Sequence, residues 1–443
     1  VKPNILFLHS HNTGRFIQPY GHAVPTPHIQ RLAREGALFH KAFSAAPTCS
    51  PSRAAFLTGQ HPHCCGMLGL AHRGFGLDEP GHHIARTLRD SGYHTALCGI
   101  EHIAAFGRAT ADVVGYDRVL TDSGASAREV LPCVTDFLNS KPTEPFFACV
   151  GIHETHTPYP EPEPATHPAE DDRYCAPPRP FANTPELRKM AAGFKNSARR
   201  MDECWGSILE TLRENGMDEN TYVFCFTDHG LQWPLHIANV GEHGNAAFLV
   251  IRGPEHFRGG QAIDAMVSLM DLYPTVCDLA GIDHPSWLQG KSLLPLVDGK
   301  TDSLHDRLFF EQTYHASYEP MRAVRSDRHI YIKRYDERDK LVLPNTDDMP
   351  AKHDMLQAGW EREPRHQEML YDLYFDPDQM NNLIDRPELQ AVAQDLRTSL
   401  ERWMRDTDDP LCKGAVPVPE GGCTTDPDDS TPEGVGRPPR VEE

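Results

Sequence analysis

Cys49 stands in the string TCSPSRAAFLTG, with Pro51 and Arg53 shortly behind it. A proline there pre-sets φ for a first helical turn, the apolar run after Arg53 continues the helix, and Thr58-Gly59 ends it. Cys49 is therefore expected at or beside a helix N-terminus, where free N–H groups and the positive dipole end favour an anion and lower a thiol pKa. By itself such a cysteine is more often a buried or merely reactive thiol. Four further segments carry His, Asp or Asn where a metal or an anion could be held: His11-Asn12, His102, His153 with His156, and Asp228-His229. Singly, each histidine is commonly a surface or satisfied core residue; together, each at the end of a predicted strand, they point to one site.

The strands that must position these segments are short apolar runs. Ile5 to Leu8 reads as a parallel strand buried on both faces, with His9, His11 and Asn12 at its C-terminal end. Thr95 to Cys98 precedes His102, Phe146 to Ile152 precedes His153-Glu154-Thr155-His156, and Tyr222 to Phe226 precedes Asp228-His229. Helices alternate with them. One starts at Thr26-Pro27, carries Ile29, Leu32 and Ala33 on one face and stops at Gly36; others run from about His83 to Asp90 and from Pro185 to about Asn215. The alternation predicts an α/β sandwich with a large, mostly parallel sheet between helices, and ligands of such sheets sit beyond the carboxyl ends of the strands. From about Leu304 the texture changes. YEPMRAVRSDRHIYIKRY reads as a strand pair and EMLYDLYFDPDQMNN with its sequel as strand, turn and terminal helix, which makes a smaller C-terminal α+β domain. The expected division is 1–303, 304–410 and a Pro/Gly/Asp-rich tail 411–443, wrapped on the surface or disordered. No internal repeat is visible.

A chain of 443 residues buries a large core, and its net charge of -20 argues against a general nucleic-acid or anionic-membrane binder. A substrate bearing sulfate or phosphate then needs a local cluster of Arg and His. No apolar run approaches transmembrane length, and VKPNILFLHS is not a signal peptide. Twelve cysteines are too few for a disulfide scaffold of this length, and Cys98, Cys149 and Cys225 fall in predicted strands as buried, reduced thiols. A cytoplasmic location is expected, with export after removal of a leader as the alternative.

The whole string C-x-P-S-R followed by LTG resembles the signature of the type I sulfatases of the alkaline phosphatase superfamily, whose cysteine is oxidised after translation to formylglycine. The likeness extends along the chain: TPHIQRLAREGALFHKAFSAAPTCSPSR, HETHTP, FTDHG, VSLMDLYPTVCDLAGI, GKSLLP and LYDLYFDPDQMNNL are each similar to family blocks. HPHCCGMLGL and the segment around RDTDDPLC most resemble the sulfamidase (heparan N-sulfatase) branch. The resemblance implies an alkaline-phosphatase-like sandwich and a hydrolase that removes O- or N-linked sulfate from a small sulfated substrate, expected to be a carbohydrate such as N-sulfoglucosamine. It further implies that Asp228, His229, Asn12 and His11 hold one divalent cation, calcium by family habit. Residue 49, as formylglycine hydrate activated by the cation and by Arg53, attacks sulfur, and His156 protonates the leaving group. His102 steadies the sulfate oxygens or the diol, and a formylglycine-generating enzyme is the implied maturation partner.

The departures cluster at the cation. Two adjacent Asp of the family are here His11-Asn12, a family lysine is missing from Gly99-Ile100-Glu101-His102, and another is missing near His236-Ile237. One carboxylate, one amide and imidazoles are softer than an all-oxygen calcium cage, so manganese, zinc and iron are alternatives. His63, Arg15, Arg73 and His236 are candidates to replace the lost positive charge, with His153, Arg322 and Arg325 as further substrate contacts. Two other functions remain open on the same fold: a phosphonate monoester or phosphodiester hydrolase, and a pseudoenzyme that binds a sulfated ligand without turnover. Association of copies into a homo-oligomer is left open.

Overall fold

Side-chain alternation along the first strand decides the layering. β1 (Asn4–Ser10) is buried throughout, with Ile5 and Phe7 in one apolar core and Leu6 and Leu8 in the other, as the two-residue period of a strand covered on both faces requires. The computed structural model describes residues 2–104, 111, 113–121 and 124–433. The remaining strands of the large sheet are β2 (Ala37–Phe43), β3 (His94–Gly99), β4 (Arg118–Val119), β5 (Phe146–Gly151), β6 (Thr221–Thr227), β7 (Ala246–Ala247), β8 (Leu249–Arg252) and β9 (Gln261–Ser268). Their order is β4-β3-β5-β1-β6-β8-β2-β7, with β9 also pairing β2. From β4 to β6 all neighbours are parallel, whereas β8 runs antiparallel to both β6 and β2.

Helices cover both faces. α1 (Pro27–Glu35), α2 (Cys49–Thr58), α3 (Ile84–Asp90), α4 (Ala127–Asn139), α5 (Pro185–Glu214), α6 (Leu272–Ala280) and α7 (Gln390–Asp406) divide between the two cores. α1, α4 and α5 pack on the Leu6 and Leu8 side; α2, α3, α6 and α7 contribute to the Ile5 and Phe7 side. α1 buries the expected Ile29, Leu32 and Ala33, and Gly59 ends α2 with φ of 70°, the left-handed cap that glycine favours.

A second sheet, β10 (Leu308–Tyr314), β11 (Tyr318–Arg325), β12 (His329–Arg334) and β13 (Glu368–Asp372), is antiparallel in chain order. Met321, Ile330, Ile332 and Met369 pack with Phe43 and Met266 of the large sheet. Val324, Tyr331 and Leu370 share a core with Leu400 and Trp403 of α7. The tail is wrapped on the molecule as far as residue 433: Thr425 is buried and its N–H donates to Ala316 O. Residues 434–443 of the expected tail lie outside the described residues. Among the described residues no helix is long and apolar enough to cross a membrane.

Two arginines expected near substrate are structural instead. Arg322 is fully buried, donating from Nε to Asp409 Oδ2 at 2.6 Å and lying 3.5 Å from Glu311 Oε2. Arg73 is buried and donates to Ala316 O, Thr425 Oγ1 and Pro432 O, pinning the tail. In each case a full charge enclosed by protein must be paired or hydrogen-bonded, and these partners are supplied by the chain itself. Arg325 is likewise committed, to Glu242.

His63 Nδ1 lies 2.8 Å from Glu311 Oε1, so His63, Glu311, Arg322 and Asp409 form a buried row of alternating charge between the two sheets and the segment after α7. Burial opposes the charge on His63, but Glu311 outweighs it and raises its pKa from 6.5 to about 10. Burial also opposes the Glu311 carboxylate, yet His63 and Arg322 hold it below its ordinary value. Glu311→Gln leaves buried cations without their counter-charge and is expected to cost about 3–5 kcal/mol in urea unfolding. The raised His63 pKa makes its contribution complete below pH 6.5 and lost as pH rises towards about 10. Wild-type stability should therefore fall across that interval more steeply than that of the Gln variant.

Candidate active site

β3, β5, β1 and β6 are consecutive neighbours, in register so that Gly99 faces Gly151, His9 faces Gly151 and Ser10 faces Thr227. Their carboxyl ends therefore reach one edge together, and the four polar segments leave from that edge. Gly99 has φ of 78°, and a Cβ there would meet Gly151 O at 2.0 Å, so β3 and β5 close on each other only with glycine. Beyond the strands, His11 N donates to Glu154 O, Thr155 N to His11 O, and Gly14 N to His229 O, which ties three of the departing loops together.

Cys49 is the first residue of α2 and is buried. Its Sγ lies 3.0 Å from His11 Nε2, 3.3 Å from His229 Nε2 and 3.8 Å from Asn12 Oδ1. One helical turn on, Arg53 is fully buried with Nη2 3.0 Å from Asp228 Oδ2 and Nη1 2.8 Å from His9 Nδ1. Ser52 Oγ donates to Asp228 O at 2.6 Å, and Ser50 Oγ accepts from Ala71 N at 3.0 Å. The serines of the motif thus lock the start of α2 to β6 on one side and to the 71–73 turn on the other.

Burial would raise the Asp228 carboxyl, but His229, Arg53 and the N–H groups of Asn12 and His229 together hold it below its ordinary value. It is ionised at neutral pH. Burial lowers His9, His11, His156 and His229, so these imidazoles are neutral and carry a lone pair. His11 is the hub, its ring centroid 4.5 Å from His156, 5.6 Å from His153 and 5.8 Å from His102. His102, at φ of 61°, stacks on His72 with Nε2 3.3 Å from His72 Nδ1.

The structure thus brings together Cys49, Arg53, His11, Asn12, His102, His153, His156, Asp228 and His229. His236 lies apart. Its Nε2–H donates to Arg179 O, its ring stacks on His243, and burial with the neighbouring His243 keeps it well below 6.5, so it supplies no positive charge. Besides His72, three residues that sequence reasoning did not assign also serve the cluster. His9 accepts from Arg53, while Gln232 accepts from Thr157 N at 2.7 Å and bridges His156 Nε2 at 3.2 Å to Asp347 Oδ2 at 2.5 Å. His9 stands with His11 and Asn12 at the end of the first apolar run, which was its signal, whereas Gln232 and Asp347 stand in loops 115 residues apart, where no local pattern marks them.

Two groups of donor atoms among the described residues could hold a cation, His11 with Cys49 and His102, and Cys49 with Asp228 and His229. Both include Cys49; neither includes Cys64 or Cys65. Buried Asp228 Oδ2 makes no hydrogen bond and has Arg53 at 3.0 Å as its ion-pair partner, while buried Asn12 Nδ2 makes no hydrogen bond; the carboxylate oxygen can serve a cation and the amide N–H an anion. Neutral imidazoles and an ionised carboxylate fit a divalent ion, but only one carboxylate is present, which does not fit a calcium cage of six to eight oxygens.

The sulfatase family model matches residues 3–282. The chain belongs to the sulfatase family. A second model, described as the C-terminal part of N-sulphoglucosamine sulphohydrolase, matches residues 242–359. The chain is 30% identical to human N-sulphoglucosamine sulphohydrolase over 88% of its own length and 87% of that protein. Among solved structures, a protein in complex with its substrate D-glucosamine-2-N,6-O-disulfate superposes with a TM-score of 0.71 at 17% identity, covering 92% of this chain and 99% of that one. A complex with k-i-k-neocarrahexaose gives 0.71 at 18% identity, covering 93% and 94%. The protein is a sulfatase-type hydrolase with the alkaline-phosphatase-like architecture of its sulfatase neighbours.

His11-Asn12 directly follow β1, and Ile100-Glu101 stand before His102. Ile100 is buried, and the adjacent Glu101 pairs with His83 at 3.0 Å, so nothing at these two positions restores the missing charge.

Proposed function

We propose that this sulfatase removes O- or N-linked sulfate from a sugar, with N-sulfoglucosamine or a related glycosaminoglycan fragment as the favoured substrate. The observation that carries the reading is the meeting of Cys49, at the head of α2, with Asp228 and His229 from the end of β6. Formylglycine made from Cys49 would supply a hydrated aldehyde as nucleophile, and a divalent cation held by Asp228, His229, His11 and Asn12 would supply a Lewis acid.

The chain's own groups do the rest. Arg53, one helical turn after residue 49 and paired with Asp228, would supply positive charge for the sulfate oxygens. His156 Nδ1–H donates to Thr157 O and its Nε2 lone pair accepts from Gln232, so Nε2 would serve the departing sugar oxygen or nitrogen after taking a proton in place of that amide contact. Gln232 donates to that Nε2 and to Asp347, fixing the ring. His102, steadied by His72, faces the sulfate.

His156→Gln is expected to slow release from a sugar sulfate by about 10²–10³-fold and from an activated aryl sulfate far less, since only the poor leaving group needs a proton. Rates on N-sulfoglucosamine, aryl sulfate and aryl phosphonate, with the mass of the residue 49 peptide, test the proposal as a whole. Phosphonate cleavage far ahead of sulfate release would reassign the enzyme as a phosphonate or phosphodiester hydrolase. An unconverted Cys49 with no turnover would make it a binding protein.

A further inference from the structure

We infer that the cation of this site is an imidazole-preferring ion of the zinc class rather than calcium, held by His11 Nε2, His229 Nε2 and Asp228 Oδ2 with residue 49, whose sulfur in the unconverted chain stands where a hydrate oxygen would stand after conversion. The inference deepens the proposed function and rests on it only for the role of the cation.

Three features of the site carry it. Calcium needs six to eight oxygens and takes charge from several carboxylates, often bidentate. Among the described residues the cluster contains one carboxylate, and its Oδ1 is already spent on Asn12 N at 2.8 Å, His229 N at 2.9 Å and Thr227 Oγ1 at 3.3 Å. Asp228 can therefore offer only Oδ2, and Arg53 stands 3.0 Å from that oxygen, offsetting its charge. Such a set is too poor in negative oxygen for a hard ion.

The same atoms suit a softer one. Cys49 Sγ to His11 Nε2 is 3.0 Å, Cys49 Sγ to His229 Nε2 is 3.3 Å, His11 Nε2 to Asp228 Oδ2 is 3.6 Å and His229 Nε2 to Asp228 Oδ2 is 3.7 Å. Zinc bonded to nitrogen or oxygen at roughly 2.0–2.1 Å and to sulfur at about 2.3 Å spaces its ligands about 3.3–3.6 Å apart. The two imidazoles flank the thiol and carboxylate, with ring centroids 6.5 Å apart and planes at 86°; the donor groups His11–Cys49–His102 and Cys49–Asp228–His229 share the thiol, so an ion held by both imidazoles requires the rings to turn towards residue 49. Affinity of imidazole donors rises from manganese to zinc.

The test uses the full chain, stripped with chelator and dialysed against equimolar calcium, manganese and zinc, with bound metal measured by mass spectrometry and cobalt(II) as a spectroscopic probe. Expected are near-stoichiometric zinc, little calcium, and a tetrahedral cobalt spectrum. His11→Gln and His229→Gln, each checked for folding by circular dichroism, are each expected to weaken zinc binding by about 100-fold. Stoichiometric calcium from the mixture would overturn the inference, as would zinc uptake unchanged in both folded variants. Sulfate release is measured separately: a calcium-loaded enzyme that releases sulfate defeats the inference but not the function, and a zinc-loaded protein that releases none does the reverse.

Discussion

Cys49→Ala is expected to abolish sulfate release, with a fall in kcat of about 10⁴-fold or more, because the residual groups can polarise a sulfate but cannot attack it. The protein should remain folded. Alanine is compatible with the first turn of α2, and the contacts that lock this turn, Ser52 Oγ to Asp228 O and Ser50 Oγ from Ala71 N, do not involve the thiol. The check is a continuous sulfate assay beside a thermal melt. A variant that keeps more than about a hundredth of wild-type activity would remove residue 49 from the chemistry. Cys49→Ser separates nucleophile from maturation, since a hydroxyl that is not oxidised restores an oxygen without restoring the hydrated aldehyde.

Asp228→Asn should have the second large effect, and on two measurements at once. The substitution preserves shape but removes the charge 3.0 Å from the fully buried Arg53. An uncompensated buried guanidinium costs about 3–5 kcal/mol, to be read in urea unfolding. Turnover should drop by about 10²–10³-fold as the cation site loses its carboxylate and Arg53 its anchor. The sign of the pH dependence follows from the lowered carboxyl pKa. The contribution of Asp228 is complete above the ordinary aspartate value of about 3.9 and is lost as pH falls through the lower folded value, so the wild-type advantage over Asn should be flat near neutrality and shrink only in strong acid. Unchanged metal content and unchanged stability in the variant would place the cation elsewhere.

Much of the parallel half of the fold was legible because β1, β3, β5 and β6 each centre on a short apolar run followed by a polar segment, whereas the two-residue β4, Arg118–Val119, carries no such signal. The other half was not. β2 carries His40 and Lys41 within its apolar run, β7 and β8 are short, and β9 alternates half-buried and exposed positions before its last three residues. Their antiparallel pairing depends on partners far away in the chain, which no local period announces. The positively charged side chains misled for a related reason. Arg73 and Arg322 look like substrate contacts in a sequence short of lysines at the expected places. Whether a guanidinium meets substrate or a buried aspartate is decided by packing, and here Asp409 and the tail carbonyls claim them.

The sequence by itself determined the motif at Cys49, the helix behind it and the set of strand ends that carry His, Asn and Asp, because capping, proline geometry and two-sided burial act over a few residues. Only the tertiary structure decided that those ends are neighbours in the order β3, β5, β1, β6, that Arg53 is neutralised by Asp228, and that Gln232 and Asp347 orient His156. Those relations join residues as far as 217 positions apart, as Asn4 of β1 and Thr221 of β6 are. They arise when the sheet closes and each buried charge or polar group must find its partner across it, a condition imposed by burial rather than by spacing along the chain.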